Sequence, residues 1–423
     1  MGAATIARGA DTPHHGFAAP TNTLSLEWVV GEVRSNNPSL KSSRALQRAM
    51  EQRAPQARDW EDPRGGVTFN AGRFVHVAPD SFTDQGIFAE QAIPVTGKNK
   101  LRENAAGAEA KISAEETRRH LINLTTRAQV SYFRLGNAYA QWEINRNSAS
   151  LLKQIADTSR NRFESAKETE ADVLSAETEL AKLEENAFDL EQQISDEQTV
   201  LNTLMNHPPN EPLGRPVISD PGHPRFSFVT VEALALARRP EIIAAKRRID
   251  AAKAKLKLSQ RERIPEPNVR LEANRYNGDS LPVTELMGGI SFNLPWFNHK
   301  KYAAAIEENK SLAESAERDL ESLEAETRAL VRDQLKKIET FHHHHELFRD
   351  KISPLAQQTI EASQTSYQSD RAGLMEVLIA QRNAQDSASM LAQHETDYQI
   401  ALIELEAIVG APLAEITLQE ENK

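Results

Sequence analysis

The 423-residue sequence contains no cysteine, which excludes disulfide bonds, thiolate metal sites and a cysteine nucleophile. Aromatic residues make up only 6% of the chain, so the large side chains that fill compact cores are scarce. No apolar run approaches the roughly 18–20 residues that a membrane-spanning helix needs. If the chain crosses a membrane, it must do so with strands, whose sequence signal is weak.

Motifs for covalent chemistry are also missing. The sequence has no nucleotide-binding glycine loop, no GxSxG, no HExxH and no convincing pair of catalytic carboxylates. We therefore expect no enzyme activity and no cofactor. The net charge of −11 argues against nucleic acid as a partner. What the chain has instead is abundant Ala, Glu, Lys, Leu, Arg and Gln, a composition typical of long helices and coiled coils.

One stretch, Val283–Tyr302, combines a strand pattern with the start of a helix. Apolar residues alternate up to Leu294, which is the period of a strand with two different faces. Pro295 lacks an N–H and ends that ladder. From His299 onward the chain consists of strong helix formers without Gly or Pro. The sequence therefore predicts a half-buried strand that leads directly into a very long helix.

The same arrangement occurs twice, because the chain contains an internal repeat of about 200 residues. Phe163 and Tyr367 lie 204 positions apart, and so do Pro208 and Pro412. Each unit is predicted to contain a helix, a β-hairpin and a long helical hairpin. The predicted segments are a disordered lead-in at 1–23, the first repeat at 24–208, a linker at 209–228, the second repeat at 229–412 and a tail at 413–423. The predicted β-hairpins span about 66–95 and 267–295, and the helical hairpins span about 98–206 and 299–410.

Heptad spacing indicates how the long helices pack. In the first repeat Leu190, Ile194 and Leu201 follow a 3-4 pattern, and Glu197 is its lone polar interruption. Such seams favour an antiparallel coiled coil. In the second repeat His394 occupies a seam position. The long outgoing helices, Lys98–Phe163 and Lys300–Tyr367, would each extend ~100 Å, which is far longer than a globular domain.

The four predicted strands pose a different problem. Four strands cannot close a barrel, and an isolated hairpin is marginal in water. Their apolar faces must either pack on a helix or combine with strands of other copies. Because the helices leave no spare apolar face near the strands, we favour assembly of several chains.

These landmarks, in this order and duplicated, resemble the TolC outer-membrane efflux family, and most closely its CzcC-like heavy-metal branch. The residues that carry the resemblance are Leu26-Glu27 to Asn37-Pro38, Val231-Glu232 to Arg239-Pro240, Phe292 to Phe297, Tyr367 with Gly373, Val377 to Arg382, Leu405-Glu406 and Val409-Gly410. The resemblance implies a mainly α-helical fold with a small β part. Three chains would form a 12-stranded β-barrel in the outer membrane of a Gram-negative bacterium, continuous with a periplasmic helical tunnel. The implied partners are a periplasmic adaptor (membrane fusion) protein, an inner-membrane resistance-nodulation-division pump and outer-membrane lipid.

The resemblance also implies site residues. The turns of the helical hairpins would form the tip that gates the tunnel and docks the adaptor. The matching residues are Thr169, Asp172, Val173, Leu174, Tyr367, Asp370, Arg371, Gly373, Leu374, Glu376 and Val377. We expect Gly373 to permit the tight turn, which leaves the first tip in question because Thr169 stands at the equivalent position. Pro94, Pro295 and Trp296 mark the predicted junction between barrel and tunnel, where Trp296 and Phe297 fit either a membrane interface or core packing.

Carboxylates cluster near both tips, at Glu168, Glu170, Asp172, Asp370 and Glu376. They fit either a cation-attracting ring around the pore or ordinary solvated and capping residues. Mid-helix, His342, His345 and Glu346 have the i, i+3, i+4 spacing of one helix face. This spacing suits Zn²⁺ or Cu²⁺, although a polar helix surface is the simpler interpretation.

Two functions of different classes follow. The first is a passive trimeric duct that exports metal cations or small toxic compounds from the periplasm. The second is a non-membrane coiled-coil scaffold, which is suggested because no secretory signal precedes the first repeat. An intact repeat pattern favours the duct, with a chain that begins inside a longer precursor.

Overall fold

The computed structural model describes residues 22–69, 85–219, 222, 224–276, 283–412 and 414–415. Most of the predicted lead-in and tail, and the chain between the strands of each β-hairpin, lie outside these residues. Within them the fold is mainly α-helical with a small sheet part.

Ten α-helices lie in the described part of the chain. They are α1 (Leu26–Asn36), α2 (Pro38–Glu51), α3 (Arg53–Arg58), α4 (Lys98–Glu164), α5 (Glu170–Met205), α6 (Phe228–Arg238), α7 (Pro240–Arg261), α8 (His299–Leu347), α9 (Ser353–Gln368) and α10 (Leu374–Val409). α4 and α5 form the long helical hairpin of the first repeat. α8, α9 and α10 form that of the second.

The described residues also form six strands. They are β1 (Thr23–Leu24), β2 (Arg64–Phe69), β3 (Gln85–Ala92), β4 (Arg215–Pro216), β5 (Pro267–Tyr276) and β6 (Val283–Phe292). β1 and β4 form a short parallel pair, whereas the other four form one antiparallel sheet in the order β2-β3-β5-β6. The two β-hairpins therefore pair with each other inside one chain through β3 and β5. β2 and β6 remain as the sheet edges.

The sheet has two chemically different faces. Val67, Ile87, Ala273 and Leu286 lie directly opposite one another across the four strands, and the three large members of this row are exposed in the single chain. The alternate residues carry charge: Arg270 lies 2.9 Å from Glu272 and its guanidinium covers the Phe88 ring at 4.2 Å. One face is thus apolar and exposed, and the other is polar and internally paired.

Buried heptad residues hold the helices together. Leu190, Ile194 and Leu201 of α5 are buried with the facing side of α4, as the spacing indicates. The polar interruption Glu197 accepts a hydrogen bond from Ser131 of α4, so the buried hydroxyl is satisfied. In the second repeat, Tyr398 and Leu405 of α10 are buried against α6 and α8.

The outgoing helix of the second repeat is not uniformly α-helical, which corrects the prediction for residues 300–367. A π-helical turn at Phe348–Ile352 separates α8 from α9. Pro354 follows in the first turn of α9, and its ring would clash with the carbonyl four residues earlier in a regular α-helix.

The π-turn coincides with a shift in the spacing of the repeats. Ser131 and Gln334 bond to the carbonyls of Glu197 and Ala401. The two donors lie 203 positions apart and the two acceptors 204 apart. A π-turn accommodates one additional residue, which accounts for the difference.

The strand-to-helix junctions contain the predicted prolines. After β6, Pro295 is buried and begins a 3₁₀ turn, Pro295–Asn298, which leads into α8. Trp296 is 58% exposed and Phe297 76% exposed, so neither packs into a core of the single chain. After β3, Pro94 precedes Gly97, whose positive φ of 74° allows the sharp entry into α4.

A buried lysine fixes the first of these junctions. The Nζ of Lys98 donates to the Ile264 carbonyl at 2.9 Å and lies 3.3 Å from a Glu266 carboxylate oxygen. These contacts connect the start of α4 to the segment that enters β5. The first strand-to-helix junction is therefore connected directly to the second repeat. Among the described helices, none combines the length and the apolarity required to cross a lipid bilayer.

Candidate functional site at the tips of the helical hairpins

Both helical hairpins reverse direction with the same backbone geometry. Ala166, between α4 and α5, and Asp370, between α9 and α10, each have a left-handed φ of 56°. Lys167 N–H donates to the Arg162 carbonyl, and Arg371 N–H donates to the Ser366 carbonyl. Left-handed residues with this bonding form Schellman motifs, which satisfy the last carbonyls of a helix.

The tight turn therefore does not depend on Gly373, contrary to expectation. Gly373 has φ −83° and ψ 162° and is the N-cap of α10, a conformation that any residue adopts. Its counterpart Thr169 caps α5 in a capping box with Asp172. The first tip has the same turn geometry as the second without a glycine, because the left-handed position is Ala166.

Arg162, near the end of α4, connects the two turns. Its Nη1 donates to the Tyr367 carbonyl at 2.9 Å, and its Nε lies 3.2 Å from a Glu168 carboxylate oxygen. It also forms an ion pair with Asp370, and its guanidinium lies 4.5 Å from the centre of the Tyr367 ring. One side chain thus contacts residues of both repeats.

Glu168 is the buried anion of this cluster, with a side chain only 8% exposed. It accepts hydrogen bonds from the Tyr367 hydroxyl and from Ser159. Burial, and then the adjacent Glu168 carboxylate, raise the pKa of Tyr367. The phenol remains a protonated donor at physiological pH. Its stabilising contribution is lost only at strongly alkaline pH, as the pH rises through the raised pKa.

The carboxylates of the predicted cation-attracting ring have local structural roles at the tips. Glu168 and Asp370 pair with Arg162, and Asp172 belongs to the capping box. Glu170 and Glu376 lie in the first turns of α5 and α10, where the helix dipole favours negative charge. In the single chain these carboxylates therefore stabilise the tips through ion pairs and helix capping.

The other predicted tip residues fall into two groups. Val173, Tyr367, Leu374 and Val377 are buried, so they form the core under the turns. Leu174 is more than half exposed, and Arg371 bonds locally to Ser369 through Nε at 3.0 Å.

An apolar groove lies between α5 and α10, close to the turns. Leu174, Met375 and Ile379 line it, and each is more than half exposed. Arg382 crosses one side and lies 2.7 Å from Glu179. The groove has a volume of about 360 Å³. Met375 and Ile379 were not among the predicted site residues, although their i, i+4 spacing on an exposed helix face is a usable signal.

Arg162 was missed for a different reason. Its partners Tyr367 and Asp370 belong to the other repeat and lie more than 200 positions away. No local pattern in the sequence marks such a contact.

The histidines highlighted by the sequence lie far from the tips in chain position. His342 Nε2 lies 3.3 Å from Glu346 Oε1, and its ring is 5.3 Å from the Tyr398 ring. Within the described ranges, no group of three or more His, Cys, Asp or Glu residues has a geometry that holds a metal ion. His345 therefore does not complete a three-ligand set with His342 and Glu346.

Comparison with solved structures places this fold among known outer-membrane channels. VceC from Vibrio cholerae superposes with a TM-score of 0.78 at 16% identity, over 92% of this chain and 96% of that one. CmeC from Campylobacter jejuni superposes with a TM-score of 0.77 at 15% identity, over 94% and 89%. CusC superposes with a TM-score of 0.77 at 16% identity, over 91% and 92%. At such identities the likeness establishes the fold.

Sequence comparison establishes the family. No curated protein matches the chain. The sequence profile described as "Outer membrane efflux protein" matches residues 29–207 and 232–411, which are most of the two repeats recognised in the sequence. The chain therefore belongs to the outer membrane efflux protein family.

Proposed function

We propose that this chain is the outer-membrane duct of a tripartite efflux system and that it acts as a homotrimer. The observation that carries the proposal is the chemistry of the four-stranded sheet. Its exposed apolar row, Val67 to Leu286, suits contact with lipid, and its charged face suits a water-filled lumen. A scaffold that remains in water would leave that apolar face exposed at a cost in free energy.

The open sheet edges support the assembly. β2 and β6 each present an unpaired edge, and an open edge cannot persist in a bilayer. Pairing β6 of one copy with β2 of the next satisfies both edges. Three copies close a 12-stranded barrel, and the long helices extend it as a periplasmic tunnel.

Conduction requires no covalent chemistry. An inner-membrane resistance-nodulation-division pump would supply the driving force, and the duct would carry metal cations or small toxic compounds outward. The CzcC-like landmarks favour metal cations. The Arg162–Glu168–Tyr367–Asp370 cluster would hold the tips together in the closed state, because it links the turns of both repeats.

The groove lined by Leu174, Met375 and Ile379 is the proposed docking site for the periplasmic adaptor. It is apolar at the centre and bordered by the Glu179–Arg382 pair, as protein interfaces are. The buried tip residues, such as Val377, would maintain the geometry of this groove by packing beneath it.

Reconstitution of the purified full-length protein tests the duct. The protein should be trimeric in detergent and should produce discrete conductance steps in a planar lipid bilayer. A monomer that does not insert and does not conduct would refute the duct and favour the scaffold.

Docking is tested separately. Ile379→Asp should abolish export from cells while trimer yield and bilayer conductance stay normal, since conduction in vitro needs no adaptor. The matched control is Met390→Asp, which alters an equally exposed apolar residue on the same helix outside the groove. Equal export by both variants would exclude the groove as the docking site.

A further inference from the structure

Two histidines from different helices meet beside the π-turn. The rings of His344, on α8, and His394, on α10, have centroids 5.1 Å apart and planes inclined by 54°. The ring of Phe348, the first residue of the π-turn, has its centroid 4.9 Å from that of His394. The pair is distinct from the His342, His345 and Glu346 set that the α8 sequence suggests.

The ring separation matches joint coordination of one ion. With metal–nitrogen bonds of about 2.0–2.1 Å and a tetrahedral angle, two ligating imidazoles have centroids about 5 Å apart. A pair of antiparallel helices holds the two rings at this distance without a contribution from any loop. Joint coordination would require one nitrogen of each ring to be directed toward a shared point.

The state of His394 also suits a ligand. Its Nδ1 is buried, and no group in the described part of the chain hydrogen-bonds to it. Burial, and then the neighbouring His344, lower the pKa of His394, which favours the neutral imidazole that metals bind. Asp397 and His345 are close enough to influence the same ring electrostatically.

Core packing does not account for a histidine at this position. The equivalent residue of the first repeat, 204 positions earlier, is Leu190, which is buried in the coiled-coil seam. A leucine fills such a position without an unsatisfied nitrogen. The second repeat instead has a polar ring there, opposite a second one from α8.

We propose that His344 and His394 form a binding site for a divalent transition-metal ion such as Zn²⁺ or Ni²⁺. Imidazole nitrogen is a preferred ligand for these ions. Two protein ligands leave the remaining coordination positions to water, so the ion exchanges readily. The bound ion cross-links α8 to α10 beside the π-turn, where the outgoing helix departs from regular geometry. This site does not depend on the proposed export function.

Zn²⁺ titration of the untagged, full-length protein tests the site, with calorimetry for affinity and circular dichroism for the melting temperature. Zn²⁺ should bind and raise the melting temperature. His344→Gln and His394→Gln should each weaken binding about tenfold or more. A second variant, His394→Leu, restores the residue of the first repeat; it should fold and should not respond to Zn²⁺.

The control variants decide between the two possible sets of ligands. His343→Gln alters an exposed neighbour on α8 and should bind as the unmodified protein does. His342→Gln should also retain binding. Loss of binding in His342→Gln but not in His394→Leu would place the ion on α8 alone and overturn the proposal. Absence of Zn²⁺ binding by the unmodified protein would overturn it as well.

Discussion

Arg162→Ala should release the two tip turns from each other. The Arg162 side chain is 19% exposed and its partner Glu168 is 8% exposed. Removing the cation leaves a buried carboxylate without a charged partner, which costs about 3 kcal/mol or more. Loss of the hydrogen bond to the Tyr367 carbonyl adds about 1 kcal/mol. The exposed pair with Asp370 contributes little.

The same contacts set the size of the functional effect. If the turns separate when the duct opens, a combined loss of about 4 kcal/mol favours the open state by roughly a thousandfold. Single-channel recording in a planar bilayer measures the open probability directly. Arg162→Ala should be open far more of the time than the unmodified channel.

Arg160→Ala is the matched control. Arg160 lies two residues earlier on α4 and pairs with Glu177, but its side chain is 59% exposed and both partners belong to the first repeat. Its removal should change stability by less than about 1 kcal/mol and leave the open probability unchanged. Equal open probabilities for Arg162→Ala and Arg160→Ala would refute the role of the cluster in closing the tips.

Three further substitutions test the fold around the site. Lys98→Met should lower the melting temperature, because it removes the cation that pairs with Glu266 and the donor to the Ile264 carbonyl, at a cost of about 3 kcal/mol. The exposed Lys100→Met should have little effect, and similar melting temperatures for the two variants would contradict the junction role. Ala166→Gly should raise the free energy of unfolding, measured by chemical denaturation, by about 1 kcal/mol, since it removes the strain of a left-handed residue. A decrease in that free energy would show that the turn is unstrained. Gly373→Thr should leave both the stability and the conductance unchanged. The N-cap backbone accepts threonine, and no atom lies within 4 Å of an added Cβ. A sharp loss of stability or conductance would show that this position requires glycine.

Sequence patterns were informative for features that depend on residues close together in the chain. Alternation to Leu294, followed by Pro295, indicated a strand that ends at a helix, and the structure has β6 and α8 there. The heptads anticipated the buried seam of α5, including Glu197 as its polar member. The fold class followed from the duplicated order of such segments.

Contacts between the repeats could not be predicted in this way. Arg162 meets Tyr367 and Asp370 only because two helical hairpins pack side by side. The pairing of β3 with β5, which joins the two β-hairpins, arises from the same juxtaposition. His344 and His394 likewise belong to different helices, so no pattern within one helix brings them together.

Composition, period and repeat length by themselves determined that this chain consists of two copies of a strand-and-long-helix unit. These properties depend on neighbours within a few residues or on self-similarity, both of which a sequence displays directly. The tertiary structure alone decided where each tip bends, that the Arg162 side chain links the two tips, and which apolar residues remain exposed between α5 and α10. Those features depend on which surfaces meet across more than 200 residues of chain. They also depend on the left-handed backbone at Ala166 and Asp370, which neither alanine nor aspartate indicates in a sequence.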